Sequence, residues 1–164
     1  MNDVTLLVFT LGDARFGLAA MLIREVVRAV AIAPLPKAPA IAEGVINYRG
    51  TIVPVLDIRQ RFRLAPAPLH PDQHFIVAQA GPRLVALRVD RATELLGISP
   101  SAIAPATAVV PGAEHTAGIA RLADGLLVIH DLERFLALDE AKRLDSALGG
   151  TAEPAPRREA RGSA

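Results

Sequence analysis

The strongest restriction on this chain is that it carries one short pattern twice. Gly44–Ile58 lies over Gly118–Leu132 without a gap at a shift of 74 positions, which pairs Gly44 with Gly118, Val45 with Ile119, Tyr48 with Leu122 and Ile52 with Leu126. The match continues through Val53 and Leu127, Val55 and Ile129, Asp57 and Asp131, and Ile58 and Leu132. At a shift of 69, Gly12 meets Gly81, Phe16 meets Val85, Leu18 meets Leu87 and Glu25 meets Glu94, so elements follow the same order in both halves. Such repetition implies two copies of one supersecondary unit. At about 70 residues per copy, the unit is too short for a β-sandwich and suits a five-stranded barrel.

Local patterns agree with β structure. Thr5–Leu11 and Arg15–Ala19 are apolar, β-branched or aromatic runs separated by Gly12-Asp13, which is hairpin punctuation. Ala20–Ile32 fits either a helix face or a strand face, and its valine and isoleucine content favours strand. Beyond Pro34, Pro36 and Pro39, Gly44–Gly50 and Thr51–Ile58 read as strand, turn, strand. Pro54 cannot donate to a ladder and is expected at a sheet edge or a bulge. Leu64–Pro71, with three prolines, reads as a linker. Leu138–Leu148 has acids at its start, apolar residues at Ala141, Leu144 and Leu148, and Gly149-Gly150 behind it, the pattern of a capped amphipathic helix. Residues 149–164 contain no Leu, Ile, Val or aromatic side chain, so they cannot offset the entropy of ordering and are expected to form a disordered tail.

Composition then removes classes of function. The 51% hydrophobic content supplies a core, and 164 residues fit one domain. Eighteen Lys and Arg balance 17 Asp and Glu, so no overall field selects nucleic acid or anionic lipid, and partner choice must come from local shape. With no Cys, the chain has no disulfide, thiolate nucleophile or cysteine zinc site. It has no G-x-S-x-G elbow and no phosphate-cradling glycine loop, so neither a catalytic residue nor a cofactor is assigned. The N-terminus lacks the basic-then-apolar pattern of a secretory signal. The longest apolar stretches, such as Phe16–Ile23, are about half of what a spanning helix needs. A cytoplasmic location is expected, with membrane contact only indirect.

Four sets of polar residues invite a chemical reading. His70 and His74 are four apart, but Pro71 argues against the helix that would make them a metal pair, so no metal site is expected. Asp57 and Asp131 hold equivalent places in the two copies, which suits capping a turn better than acid–base chemistry. Arg59, Arg61 and Arg63 alternate as a basic stripe; it reads as a solvated face, although a small β-barrel module could use it to bind nucleic acid. The 4% aromatic content leaves few rings for bases to stack on. Glu25 is the informative acid. On a strand it would share a face with Met21, Ile23 and Val27, and a carboxylate in apolar company needs a partner. Arg49, at the tip of the Asn47-Tyr48-Arg49-Gly50 turn, can supply one. Glu25 has a counterpart in Glu94, whereas Arg49 aligns with Ala123, so the pair has a task specific to the first copy, as a structural salt bridge or at a binding surface.

Leu7–Asp13 (LVFTLGD), Arg24-Glu25-Val26, Asn47–Gly50 and Thr51–Ile58 (TIVPVLDI), in this order and spacing, resemble the CheW family, and the similarity runs from about Leu6 to Leu148. The resemblance implies a mainly β fold of two tandem five-stranded SH3-like barrels with a short C-terminal helix. Within a domain spanning 1–148, the first barrel would occupy about 5–66, the second about 72–136 and the helix 138–148. It also implies a non-enzymatic adaptor that binds the regulatory domain of a CheA-type histidine kinase and the cytoplasmic tip of methyl-accepting chemoreceptors. Ile23, Glu25 and Arg49 would face or support the receptor groove, and Leu95 would line it from the second half. Tyr48 stands where the family usually has leucine, and a paralogue serving surface sensing or pilus motility fits the same resemblance.

Overall fold

Several strands here are apolar on both faces, and the reason lies in how the sheets are shared. The computed structural model describes residues 3–105, 116–123, 125–132 and 138–152. β1 (Val4–Leu11) and β2 (Ala14–Ala19) form a hairpin, and a 3₁₀ turn over Ala20–Leu22 leads into β3 (Ile23–Arg28). β4 (Ala42–Tyr48) and β5 (Thr51–Leu56) form a second hairpin, and β6 (His74–Ala80) and β7 (Arg83–Val89) a third. β8 (Arg91–Ile98), the two-residue β9 (Ile103–Ala104), β10 (Thr116–Leu122) and β11 (Gly125–His130) precede helix α1 (Leu138–Ala152).

One sheet runs β8-β1-β2-β11-β10-β9 and the other β3-β6-β7-β5-β4. The partition implied by the resemblance, 5–66 and 72–136, is therefore not the partition of the sheets. Each copy lends its first hairpin to the other: β1–β2 joins the strands of the second half, and β6–β7 joins those of the first. The exchange is reciprocal to the residue. Gly17 pairs in parallel with Ile129, and their repeat equivalents Ala86 and Val55 pair in parallel in the other sheet. The sixth strand of the first sheet also has a counterpart: Ala104 of β9 bridges Ile119, and Ala33 bridges Val45.

Exchange places both lent hairpins at the centre. Leu7, Phe9 and Leu11 of β1 enter one seam cluster with Ile76, Ala78, Val85, Leu87 and Val89 of β6 and β7. The alternate residues Leu6 and Val8 pack with Ala120, Leu127 and Ile129 inside one sheet, and Phe75, Val77 and Ala86 pack with Ile46, Val53 and Val55 inside the other. Two-sided burial is what an unbroken apolar run such as Leu6–Phe9 requires.

Pro54 sits on β5, which lies between β7 and β4 rather than at a sheet edge. Val45, its partner on β4, spends its N–H and C=O on Ala33, at 2.8 and 2.9 Å. That pair is therefore a non-hydrogen-bonded one, and the Pro54 nitrogen points away from β4. On that side β7 pairs only from Val55 onward, so the missing donor leaves no gap in the ladder.

α1 runs through Gly149-Gly150 to Ala152, longer than the expected 138–148, so residues 149–152 are helical; 153–164 lie outside the described residues. Leu144 is fully buried against Leu35 and Val45, with Ala147 and Leu148 alongside, and Glu140 and Asp145 pair with Arg61 and Arg83. Among the described residues, Leu144 is the fully buried apolar side chain of this helix. Leu144→Ala is expected to cost about 2 kcal/mol locally. Amide exchange in α1 would then speed up roughly thirtyfold while exchange in β1 and β6 stays unchanged.

Candidate docking site

β3 carries the carboxylate, and a bulge decides where it points. The ladder to β6 shifts register between Ile23, opposite Ala78, and Glu25, opposite Val77. Arg24 is the extra residue, and an extra residue inverts the side-chain alternation. Ile23 therefore packs on the seam cluster, while Glu25 follows Val27 onto the interior face of its own sheet. The expected shared face of Met21, Ile23, Glu25 and Val27 does not form. Met21, in the 3₁₀ turn, is 90% exposed.

Tyr48 and Arg49 reach Glu25 from the β4–β5 hairpin. Arg49 and Gly50 both have positive φ, 51° and 84°, between the paired residues Tyr48 and Thr51, which defines a type I′ turn. Asn47 Oδ1 accepts a 2.8 Å bond from the Gly50 amide and closes it. A left-handed arginine costs about 1 kcal/mol, and a residue kept at such a cost is a candidate for function. Arg49 Nη2 lies 2.7 Å from Glu25 Oε1, and its guanidinium stands over the Tyr48 ring, 5.4 Å from the centroid. The Tyr48 hydroxyl donates to the same Oε1 at 2.7 Å. Donation to a carboxylate holds the tyrosine proton, so its pKa is raised above the ordinary value. Arg49 is nevertheless 73% exposed.

Leu95 is two-thirds exposed and pairs across β8 and β1 with Leu7, a seam residue, so it stands on the seam face of its sheet. Ile23 borders that seam from the other sheet. The four sequence-predicted residues thus resolve into two pairs: Glu25 and Arg49 in direct contact, and Ile23 and Leu95 flanking the seam. Sequence reasoning did not place Tyr48 in the constellation, although its parity with Ile46 puts it inside the barrel where Glu25 arrives. It also passed over Ile52 and Leu126, repeat equivalents that are both exposed, at 47% and 64%.

The other polar candidates hold the frame. Asp90 lies where the chain leaves β7 for β8 and so passes from one sheet to the other. Arg59, only 5% exposed, donates Nη1 and Nη2 to its two carboxylate oxygens at 2.9 and 2.8 Å. Asp90 also accepts from the Gly12 amide of the β1–β2 turn at 2.6 Å. These donors, Arg59 first, hold its pKa below the usual carboxylate value. Arg61 pairs with Glu140, so two of the three arginines read as a solvated stripe are engaged inside the protein. Asp57 caps the turn after β5 by accepting from the Arg59 amide at 3.1 Å. Among the described residues no three His, Asp or Glu side chains gather as metal ligands, and no helix is long and apolar enough to cross a membrane.

Two interlocked sheets, an apolar seam with exposed margins and an ion pair on a strained hairpin define a double β-barrel module. The chain belongs to the CheW family: the CheW-like domain matches residues 5–140. It is 29% identical over 142 residues to the chemotaxis protein CheW of Klebsiella aerogenes, covering 85% of this chain and 86% of the relative. It is 31% identical over 145 residues to the probable chemotaxis protein CheW of Rhizobium etli, covering 88% and 89%. The crystal structure of the scaffolding protein TtCheW from Thermoanaerobacter tengcongensis superposes with a TM-score of 0.75 at 29% identity, covering 85% of this chain and 91% of that one. The fold is accordingly mainly β, two SH3-like barrels and one helix.

Proposed function

We propose that this protein is a cytoplasmic, non-catalytic adaptor that couples the cytoplasmic tips of methyl-accepting chemoreceptors to a CheA-type histidine kinase. The observation that carries the reading is the rim of the seam, where exposed Leu95 and half-buried Ile23 flank apolar ground and Arg49 is held in a left-handed turn beside Glu25. An apolar cleft rimmed by charge suits a receptor helix that buries a few anchors. The kinase regulatory domain then takes other barrel edges, and coupling is geometric: a receptor rearrangement passes through a rigid body in which both sheets share one core. Reconstituting receptor fragments and kinase with and without the protein tests this. Receptor control of kinase activity should depend on its presence, and control that is equal without it would overturn the reading.

Arg49→Gly separates docking from folding. Glycine removes the left-handed strain, so the melting temperature is expected to hold or to rise by the equivalent of up to about 1 kcal/mol. Receptor binding should weaken by at least about tenfold, because the exposed cation paired with Glu25 is gone. Retained binding with a large stability loss would make the pair purely structural.

A further inference from the structure

Tyr48 changes what the Glu25–Arg49 pair offers to a partner. The tyrosine hydrogen bond and the closest approach of the arginine both fall on Glu25 Oε1, and among the described residues Oε2 accepts no hydrogen bond. Arg49 gives Nη2 to the pair and keeps its remaining N–H groups on an exposed side chain, with the Tyr48 ring beneath the guanidinium. The carboxylate cannot turn freely, because the tyrosine comes from the buried end of β4 and the turn carrying Arg49 is closed by Asn47. One acceptor and a set of donors therefore stand side by side, with the opposite charges of Glu25 and Arg49 offsetting each other and exposed Arg24 nearby.

We infer that Tyr48 is a positioning residue that locks Glu25 and Arg49 into a donor–acceptor pair reading a primary carboxamide, an Asn or Gln side chain, on the docked receptor helix. A partner carboxylate would be drawn to Arg49 but repelled by Glu25, and a partner ammonium the reverse. A neutral carboxamide gives an N–H to Oε2 and takes an N–H from Arg49 in one plane, satisfying both. This inference rests on the docking reading above and names the chemistry of that site.

The test titrates a cognate receptor cytoplasmic fragment against the unaltered protein and against Glu25→Gln, Arg49→Gln, Tyr48→Phe and the Glu25→Gln/Tyr48→Phe double variant. Glu25→Gln and Arg49→Gln should each weaken binding roughly tenfold and Tyr48→Phe roughly fivefold, with little dependence on salt. Because Tyr48 acts through Glu25, its replacement should add nothing in the Glu25→Gln background. Tyr48 is the single tyrosine and the chain has no tryptophan, so its absorbance titration reports the bond directly: Glu25→Gln should bring the phenol pKa down toward its ordinary value. Tighter binding by Glu25→Gln would identify a carboxylate partner, and tighter binding by Arg49→Gln a cation; either outcome overturns the inference. So would a Tyr48→Phe affinity equal to that of the unaltered protein, which leaves the docking reading standing. Absence of binding by the unaltered protein removes both.

Discussion

Gly44→Ala is expected to be among the most damaging single-methyl changes in the protein, lowering the unfolding free energy by about 3–4 kcal/mol. Gly44 lies at a bulge in the β4–β5 ladder with φ +149°, where L side chains are strained. A Cβ there would fall well inside van der Waals distance of the Ala33 carbonyl oxygen and 2.7 Å from Ile32 Cγ2. Backbone cannot swing aside as a side-chain end can, so relief requires breaking the Ala33–Val45 bridge. Gly118, its repeat equivalent, faces the same kind of neighbour more loosely, with Ile103 Cγ2 at 2.8 Å and the Ala104 oxygen at 3.0 Å, and should cost less. Gly81→Ala is the control: nothing lies within 4 Å, so only its positive φ is penalised, by about 1 kcal/mol. Urea melts of the three variants should rank in that order, and a Gly44→Ala midpoint equal to that of Gly81→Ala would refute the account.

That ordering shows what kind of information the chain wrote openly. The repeat aligns Gly44 with Gly118 because each copy needs a bare Cα where a neighbouring segment crosses. Close approach of backbone is among the few tertiary facts that leave a local mark. The hairpin turns and the Glu25–Arg49 contact were legible for similar reasons, a glycine at positive φ and a carboxylate that needed a partner. Hairpin exchange was not legible, since moving β1–β2 between two equivalent sheets preserves every local pattern and alters only non-local pairing. The Arg24 bulge was invisible too, and one extra residue turned Ile23 and Glu25 to opposite faces. Arg59 illustrates a third limit. Alternation with Gln60 and Phe62 suggested a solvated stripe, but the chain turns after Leu56, so strand parity does not apply and the guanidinium folds inward to an aspartate 31 positions away. Of the site, the ion pair was foreseeable and its tyrosine clamp was not, because Tyr48 gains meaning only once the bulge turns Glu25 toward it.

Asp90→Asn should remove about 3 kcal/mol at neutral pH, and the pH dependence of that loss identifies its origin. Asparagine keeps the shape and one acceptor oxygen but leaves the guanidinium of Arg59 buried without a counter-charge. The folded carboxyl titrates below its unfolded value, so its contribution is complete above about pH 4 and fades as pH falls through the lower folded pKa. Urea melts at about pH 7 should therefore separate the two proteins widely, and the gap should narrow progressively as the pH is lowered below about 4. A gap that persists in acid would mean that the lost contacts are packing or neutral hydrogen bonds rather than charge. Position raises the stakes beyond stability. Asp90 binds the Gly12 turn of one sheet and Arg59 behind the last hairpin strand of the other, and Gln73 carries the network on to Arg88 and Glu43. These bonds pin the crossover at which the sheets exchange, and thereby the relation between Ile23 and Leu95 across the seam. Under conditions where Asp90→Asn is still fully folded, its receptor affinity should fall although none of the proposed docking residues has changed, as expected if the seam must be rigid to transmit a receptor's motion.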